Sequence, residues 1–418
     1  MSKSRLSIVF LIVFIDLLGF SLILPLLPFY ADTFGATPFQ VGLLVASYAA
    51  AQLIGAPILG RMSDRFGRRP VLLLSMVGTF IGFLMLGFAN ALWILFASRL
   101  LDGFTGGNIS VAQAYITDIT DEKDRARGLG LLGAAFGLGF IIGPAAGGLL
   151  SVYGFAVPSF VAAGFSLLSV LGVITLLPES LTPEVRAELA KKTKQEFSFK
   201  NLWAALTRPR VGPLFHIRFF YGLAFATFQT IFPLYAQYKL GLDARGTGFV
   251  LTYVGILVVF VQGFGVGWLV ARYREYNLIF WALALMTLTL FVWAVVPNLA
   301  GLLFVLAPLA LAAGILNTLL NSSLSKSVHP EEVGGTLGIS ASLESLTRVI
   351  SPSAGGFLLG SLGTWAPGIA GGLIMLWTLF YTWRRLIVNP DPPLPDKPSP
   401  EESAASPSAR DRLSRRRR

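Results

Sequence analysis

The sequence predicts an all-α membrane protein in which twelve transmembrane helices form two pseudo-symmetric six-helix bundles. Of its 418 residues, 54% are hydrophobic and only 13% are charged, about half the charged share of a soluble protein. The apolar residues come in repeated runs of about 20, the length that crosses the hydrocarbon of a bilayer. The chain also repeats itself: Ile142–Leu150 (IGPAAGGLL) matches Ile350–Leu358 (ISPSAGGFL), 208 residues further on.

The apolar runs define twelve predicted spans. The first resembles a secretory signal, but it is longer than the apolar region of a signal peptide and carries Asp16 and two prolines, so we interpret it as a helix. An even number of spans places both termini on the same side of the membrane. The predicted spans are about 7–30, 41–60, 70–89, 92–117, 128–152, 158–177, 212–238, 246–270, 277–296, 299–324, 334–360 and 365–386.

A polar segment, 179–211, divides the chain into predicted bundles at 1–178 and 212–387. Within it, residues 184–196 are compatible with an amphipathic surface helix and equally with a solvated linker. The segment 388–418 is rich in Pro, Ser and Arg and is expected to be a disordered cytoplasmic tail. Its closing arginines could contact anionic lipid head groups, although an inert tail is the favoured interpretation.

Basic residues are concentrated in alternate loops of the predicted topology. The positive-inside rule therefore places these loops and both termini in the cytoplasm, and the protein in the cell (inner) membrane. The net charge of +11 does not indicate nucleic-acid binding, because the basic residues do not share one face with stacking aromatics. With no cysteine and only two scattered histidines, His216 and His329, no metal site is predicted.

Ionisable side chains inside the spans are the strongest functional signal, since each is costly at the centre of a membrane helix. Arg99 and Asp102, like Glu344 and Arg348, are spaced to share a helix face, which suits internal neutralisation or a functional role. Asp16 has no basic residue three or four positions away. Burial favours the protonated form of such a carboxyl group, so we predict that Asp16 binds a proton or a cation.

Two further ionisable residues, His216 and Arg218, lie near the cytoplasmic end of the seventh span. We expect both side chains to extend to the membrane surface rather than to enter a cavity. No phosphate-binding loop motif is present, which argues against an ATP-driven pump, and no cofactor is predicted.

Polar and aromatic residues within the spans are expected to line a central cavity between two similar halves. Amides and tyrosines among phenylalanines suit an amphipathic organic ligand better than a sugar, which would need more hydrogen-bonding groups. Tyr48, Tyr115 and Tyr253 are further lining candidates. The predicted substrate-binding residues are Phe20, Gln52, Asn108, Gln113, Phe225, Gln229, Gln262, Asn317, Glu344 and Arg348.

Three motifs carry a resemblance to a known family. The segment Gly60–Pro70 (GRMSDRFGRRP) resembles the GxxxDxxGRR loop between helices 2 and 3 of major facilitator superfamily transporters. Arg99–Gly103 (RLLDG) in helix 4 and Gly139–Gly148 (GFIIGPAAGG) in helix 5 are similar to motifs of the drug:proton antiporter branch, tetracycline-resistance exporters in particular. The second-half counterpart of the loop, Gly267–Arg274, lacks the aspartate, so the role of that aspartate is expected to be performed once.

The resemblance implies the major facilitator fold and a proton-coupled antiporter that exports a hydrophobic or amphipathic compound by alternating access. It implies a monomer that is not an enzyme, whose partners are the substrate, protons and the bilayer. Proton coupling is assigned to Asp16, Arg99 and Asp102 and also to Glu344, which, like Arg348, is not part of the family motifs. The conformational gate would comprise Gly60, Asp64, Gly67, Arg68, Arg69 and Asp118, and the helix 5 motif Gly139, Gly143, Pro144, Gly147 and Gly148.

The resemblance also implies specific gate contacts. Asp64 would cap the N-terminus of helix 11 near Gly334 and Gly335, where the helix dipole favours a carboxylate. Arg68 would pair with Asp118 at the end of helix 4. Together these contacts would lock the cytoplasmic side in the outward-open state.

The chain departs from tetracycline exporters at two positions. It has Gly82 where they carry an acidic residue and Val258 where they carry a histidine, although Gln262 is kept, so a tetracycline–metal chelate is not the expected substrate. One alternative is an importer or organic-anion symporter of the same fold, with Arg218 and Arg348 holding a carboxylate. Another is a membrane receptor that has lost transport.

Overall fold

The computed structural model describes residues 2–191 and 205–389, and the chain is helical there without β-strands. We number the long helices α1 to α12, counting segments separated by a short break as one helix. The first six are α1 (Ser2–Ile23 and Leu27–Asp32), α2 (Pro38–Phe66), α3 (Arg68–Gly87), α4 (Leu92–Thr105 and Asn108–Ile119), α5 (Glu122–Leu150) and α6 (Ala156–Leu176). A short helix, Pro183–Lys191, precedes α7 (Val211–Leu240), α8 (Ala244–Val270), α9 (Glu275–Val295), α10 (Leu299–Lys326), α11 (Val333–Leu362) and α12 (Ala366–Thr382).

Nine of these helices, within the described ranges, are long and apolar enough to cross a membrane: α1 to α3 and α5 to α10. The remaining three include α4, which is divided into two shorter segments, and α12, which has 17 α-helical residues. The short helix Pro183–Lys191 covers part of the predicted surface helix 184–196. The rest of that prediction, at 192–204, and the predicted tail from residue 390 onward lie outside the described residues.

The charged segment Gly60–Val71, which the sequence placed in a loop, is almost entirely helical. Helix α2 continues to Phe66 and α3 begins at Arg68, so the turn is confined to Gly67, whose φ of 107° suits glycine. The loop prediction was wrong because α2 has 29 residues, well beyond the roughly 20 needed to cross hydrocarbon. Its last turns can therefore carry charge outside the apolar layer and remain helical.

Three helices contain breaks that the apolar runs did not predict. In α1 the helix is interrupted over residues 24–26, where Pro25 and Pro28 remove backbone donors. In α4 the interruption falls at Gly106 and Gly107. In α8 the segment Val261–Gly265 is π-helical, a feature often found at functional sites.

The helix contacts repeat between the two halves of the chain. Helix α1 packs on α5 and α6 as α7 packs on α11 and α12, and α3 packs on α4 and α6 as α9 packs on α10 and α12. One apolar core draws its residues from 9–177 and a second from 211–386. The halves meet mainly through α2 with α11 and through α5 with α8. The internal repeat relates α2 to α8 and α5 to α11, so these two pairs are equivalent.

The two ends of the helix assembly differ in how tightly the halves approach. We call the end with Gly67 the charged side and the other the opposite side. On the opposite side, the Nε2 of Gln237 in α7 donates to Asp32 at the end of α1 over 3.0 Å. On the charged side, Gly334 and Gly335 of α11 are exposed, and a Cβ built on either would meet nothing within 4 Å. The halves are therefore closed together on the opposite side and separated on the charged side.

Candidate functional site

Asp16 in α1 is buried, with 4% of its surface exposed, and is held from α4. The break in α4 places Asn108 at the start of the second segment, where its Nδ2 donates to Oδ2 of Asp16. The other carboxyl oxygen, Oδ1, has no hydrogen-bond partner among the described residues. A buried carboxyl group with an unused oxygen can take up a proton there without breaking an existing bond.

A second buried acid, Asp102 in α4, lies close enough for its charge to act on Asp16. Its Oδ2 is 3.1 Å from Nη1 of Arg99, one turn earlier on the same helix, and both side chains are buried. Arg99 also lies 5.5 Å from the ring centre of Phe83. Asp16, Asp102 and Arg99, which we call the acidic cluster, combine two carboxyl groups with one guanidinium. The cluster carries a net negative charge when both acids are ionised.

Besides Asn108, two more of the predicted substrate residues, Phe20 and Gln52, lie beside the acidic cluster. Gln52 donates through Nε2 to the carbonyl of Gly106 (2.9 Å) and to the hydroxyl of Tyr48 (3.3 Å). The ring of Tyr48 lies 5.3 Å from that of Phe20 and 6.0 Å from the Arg99 guanidinium. Phe20, Tyr48 and Gln52 thus form a wall of α1 and α2 beside the acids.

Gly82, at the position where tetracycline exporters carry an acidic residue, packs directly against the acidic cluster. A Cβ at Gly82 would lie 3.0 Å from the Cβ of Asp102. The glycine lets α3 approach α4 here, and a larger residue would require its neighbours to shift by a few tenths of an ångström. The absence of a side chain at Gly82 therefore suits the close packing of α3 against α4.

The second half holds a different charged group, in which Arg218 is central. Its Nη2 donates to Oε2 of Glu344 in α11 over 2.5 Å, and its Nη1 donates to Oδ1 of Asn317 in α10 over 3.0 Å. Glu344 also accepts through Oε1 from Nη2 of Arg348, 2.7 Å away. We call Arg218, Asn317, Glu344 and Arg348 the basic cluster. Its two guanidinium groups and one carboxylate carry a net positive charge.

The expectation that Arg218 extends to the membrane surface was wrong. Only 6% of its side chain is exposed, because Glu344 and Asn317 hold it between α10 and α11. Sequence spacing identified the Glu344–Arg348 pair but could not identify a partner on another helix. His216, two residues before Arg218 on α7, is half-buried, and its Nδ1 lies 2.9 Å from the carbonyl oxygen of Gly212.

Several predicted substrate residues present polar groups at exposed positions within the helices. The side chains of Arg348 and Glu344 are 59% and 35% exposed. Polar groups in these positions are costly against hydrocarbon, so we interpret the surface that carries them as the wall of a water-filled space between the halves. Phe225 is half-buried on α7, and the exposed amides are those of Gln113, Gln229, Gln262 and Asn317.

The predicted gate residues form a bonded network on the charged side. Arg68 donates to Asp118 over 3.0 Å, as expected, and also to Asp64 over 2.7 Å. The predicted cap of α11 by Asp64 is not formed in this conformation, because the α11 N-terminus is exposed and surrounded by open space. Arg69 donates to the carbonyl oxygens of Val173 and Ile174 at the end of α6. Gly60 has open space around it.

Glu179 also belongs to this network, although the sequence analysis did not include it among the gate residues. Its carboxylate accepts from the backbone N–H groups of Arg68 (2.9 Å) and Arg69 (3.2 Å) and so caps the N-terminus of α3. The φ of 107° at Gly67 favours glycine, and a Cβ there would lie 2.4 Å from Glu179 Oε2 and so displace the carboxylate from the cap. The only sequence signal was an acid directly after a predicted span, which does not indicate the helix that it caps.

The helix 5 motif packs on two helices at once. Toward its own half, Cβ atoms on Gly143 or Gly147 would collide with Ser21 or with the carbonyl of Leu22 in α1, and the hydroxyl of Ser21 donates to the carbonyl of Gly139 over 2.8 Å. Toward the other half, the motif meets the first turns of α8, where the residues in contact are Pro144 and Gly148 of α5 with Ala244, Arg245 and Gly248.

Comparison with known proteins places these features in a family. The sequence profile of the Major Facilitator Superfamily matches residues 9–352 and, separately, 214–418. Multidrug resistance protein 2 of Bacillus subtilis (strain 168) is 30% identical over 365 residues, covering 87% of this chain and 90% of that protein. Tetracycline resistance protein, class H, of Pasteurella multocida is 32% identical over 355 residues, covering 84% and 88%.

The fold is also that of solved transporters. The crystal structure of the nucleoside transporter NupG superposes with a TM-score of 0.74 at 15% identity, covering 91% of this chain and 98% of that one. The relatives and the fold neighbour are transport proteins and not enzymes. The chain belongs to the major facilitator superfamily.

Proposed function

We propose that this transporter is a proton-coupled antiporter that exports a hydrophobic or amphipathic small molecule by alternating access. In this proposal twelve helices span the membrane as bundles 1–178 and 212–387, joined by the linker 179–211. The charged side faces the cytoplasm together with both termini, and the protein acts as a monomer. Similarity to multidrug and tetracycline resistance proteins supports the direction of transport.

The observation that carries the proposal is the carboxyl group of Asp16, buried with one unused oxygen beside a second acid. When both acids are ionised, the two carboxylates and the single guanidinium of the acidic cluster carry a net charge of −1, which is unfavourable in the protein interior. A proton on Asp16 would neutralise that charge. Proton binding would therefore stabilise the buried cluster, whereas an ionised Asp16 would favour the conformation that admits water.

Proton entry provides enough free energy for export. One elementary charge crossing the membrane potential releases about 2.3 kcal/mol per 100 mV. This corresponds to roughly a 40-fold concentration ratio of a neutral substrate, since about 1.4 kcal/mol is a factor of ten. A neutral compound exchanged for one proton could thus be expelled without ATP.

The arrangement of the halves supports alternating access with the charged side open. Release of Asp64 from Arg68 and its docking on the α11 N-terminus would close that side as the opposite side opens. A conformational cycle is driven only by differential binding. Proton and substrate would therefore have to prefer different states of the gate.

A direct test uses purified protein in proteoliposomes with a panel of lipophilic cations, anions and neutral compounds. We expect proton release from the protein when a substrate binds, and substrate movement against its gradient when a pH gradient is imposed. Substrate flux that ignores the pH gradient would overturn proton coupling. In inverted vesicles an exporter carries substrate into the lumen, so net loss of substrate from the lumen would favour the importer alternative, and no flux at all would favour a receptor.

A further inference from the structure

We infer that the substrate is an amphipathic organic anion whose acidic head group binds the basic cluster while its apolar body lies along α7. This substrate class deepens the proposed export function and rests on it. The inference starts from the opposite charges of the two clusters. The acidic cluster in the first half can bind a proton, whereas the basic cluster has one guanidinium group more than it has carboxylates.

The basic cluster already demonstrates how it binds a carboxylate. The Glu344 carboxylate is held by Arg218 on one oxygen (2.5 Å) and by Arg348 on the other (2.7 Å). Guanidinium groups present several donors in a plane that matches a carboxylate or sulfonate. The surroundings therefore suit the chemistry of an acidic head group.

Arg348 is the member of the cluster that remains available to a ligand. Its side chain is 59% exposed, and among the described residues its guanidinium donates only to Glu344, through Nη2. A guanidinium carries five N–H donors, so several remain for a second anion. Arg218, by contrast, is buried and already bonded to both Glu344 and Asn317, which makes it a fixed support for the site.

An apolar surface extends from the cluster along α7. The ring of Phe225 stacks on that of Tyr221 at 5.6 Å and is half-buried, and the exposed amide of Gln229 follows one turn later. Arg218, Phe225 and Gln229 are spaced by seven and four residues, which places them along one helix face. A ligand with an acidic group at one end and an aromatic body of naphthalene size would match this sequence of surfaces.

Neutral and cationic substrates fit the site less well. A cation beside Arg218 and Arg348 would meet a net positive charge, and Glu344 is already occupied by both arginines. A neutral compound would leave the free donors of Arg348 without a counter-charge. Export of a monoanion in exchange for one proton would also move two elementary charges per cycle in the direction that an inside-negative potential favours.

The test measures binding of three matched probes, 2-naphthoate, 2-naphthamide and 2-naphthylmethylamine, to full-length protein in nanodiscs by calorimetry at pH 7.5. We expect the carboxylate to bind at least tenfold more tightly than the amide, and the amine to bind more weakly than either. Arg348→Gln should abolish the preference. Glu344→Gln, which removes the internal competitor, should tighten carboxylate binding several-fold.

Arg245→Gln is the matched control, because it removes an exposed arginine on the opposite side. It should leave all three affinities unchanged. Equal binding of carboxylate and amide, a preference that survives Arg348→Gln, or no binding of any probe at millimolar concentration would each overturn the inference. The binding assay contains no pH gradient and is therefore independent of transport. Selective carboxylate binding without gradient-driven flux would refute only the proposed function. Gradient-driven flux of cations alone would refute only the inference.

Discussion

Gly42 in α2 lies so close to Pro352 in α11 that a Cβ on the glycine would be 2.2 Å from the carbonyl oxygen of the proline. The repeat reproduces this contact, because a Cβ on Gly248 in α8 would be 2.3 Å from the carbonyl oxygen of Pro144 in α5. Both prolines belong to the two matching segments that first indicated the internal repeat. The Pro-x-x-Gly-Gly motif therefore holds the halves together on the opposite side.

Gly42→Ala should prevent full closure of the opposite side and shift the population toward the state that is open there. The added methyl group would collide with backbone, which cannot move aside as a flexible side chain can. The chain has no cysteine, so Phe39→Cys with Phe357→Cys, whose rings lie 6.5 Å apart, reports closure through disulfide cross-linking. We expect the cross-linking rate to fall at least fivefold in Gly42→Ala.

The matched control for this experiment is Gly164→Ala in α6, since a Cβ there meets nothing within 4 Å. It should cross-link like the parent. An unchanged rate in Gly42→Ala would mean that closure does not depend on this contact.

The second half has its own ion pair on the charged side, with the charges exchanged. In the first half Arg68 at the start of α3 pairs with Asp118 near the end of α4. In the second half Glu275 at the start of α9 pairs with Lys326 at the end of α10 over 2.5 Å. The sequence analysis concerned only Asp64, whose counterpart is absent from Gly267–Arg274, so the pair formed by Glu275 and Lys326 was not predicted.

Glu275→Gln should destabilise the second half by about 1–2 kcal/mol. The carboxylate accepts from Lys326 and from the hydroxyls of Ser322 and Ser323, and hydrogen bonds to charged groups are stronger than neutral ones. The measurement is the thermal unfolding midpoint of the purified protein, with Lys239→Gln as an exposed control. Glu275→Lys combined with Lys326→Glu should recover part of the loss, and a midpoint equal to that of the parent in Glu275→Gln would contradict the role.

The sequence predicted the helices better than it predicted the breaks in them. Runs of apolar residues are long-range signals, whereas the interruption at Gly106 and Gly107 was marked only by a pair of glycines. Glycine is also common where membrane helices pack closely, so the pair did not by itself indicate a break. The consequence is functional, because this interruption brings Asn108 to Asp16.

Site residues were identified in the same uneven way. An ionisable residue inside an apolar run can be recognised in the linear sequence. Asp16, Asp102 and Glu344 were therefore identified from the free-energy cost of placing a charge within a membrane helix. Their partners on other helices could not be identified in this way, since a contact such as Arg218 with Glu344 depends on the rotation of two helices about their axes. Sequence spacing finds pairs only within one helix.

The stability contributed by Glu332 should disappear at low pH. A hydrogen bond from the Arg208 guanidinium, 2.9 Å away, lowers the pKa of this exposed carboxyl group. A pKa that is lower in the folded state adds stability above the unfolded value of about 4.3, and this stability is lost as the pH falls through the folded pKa. We expect Glu332→Gln to lower the free energy of unfolding at pH 7 by less than about 1 kcal/mol, the range for an exposed ion pair. The thermal unfolding midpoint should therefore fall only slightly.

At a pH below the folded pKa of Glu332, the variant and the parent should unfold at the same temperature. Following the difference between the two midpoints as the pH is lowered stepwise from 7 checks this expectation. A difference that is as large in acid as at neutral pH would show that the side chain acts through packing instead of charge.

Asp16→Asn should uncouple substrate movement from the pH gradient while leaving the fold intact. Asparagine has the shape of the acid and can still accept from Asn108, but it has no site for a titrating proton. Gradient-driven accumulation in proteoliposomes should fall at least tenfold, whereas exchange of labelled for unlabelled substrate without a gradient should continue. Asp121→Asn, an exposed acid outside the bundle core, should keep full coupling. Accumulation by Asp16→Asn at the rate of the parent would assign the proton to another group, and Asp102 would be the next residue to replace.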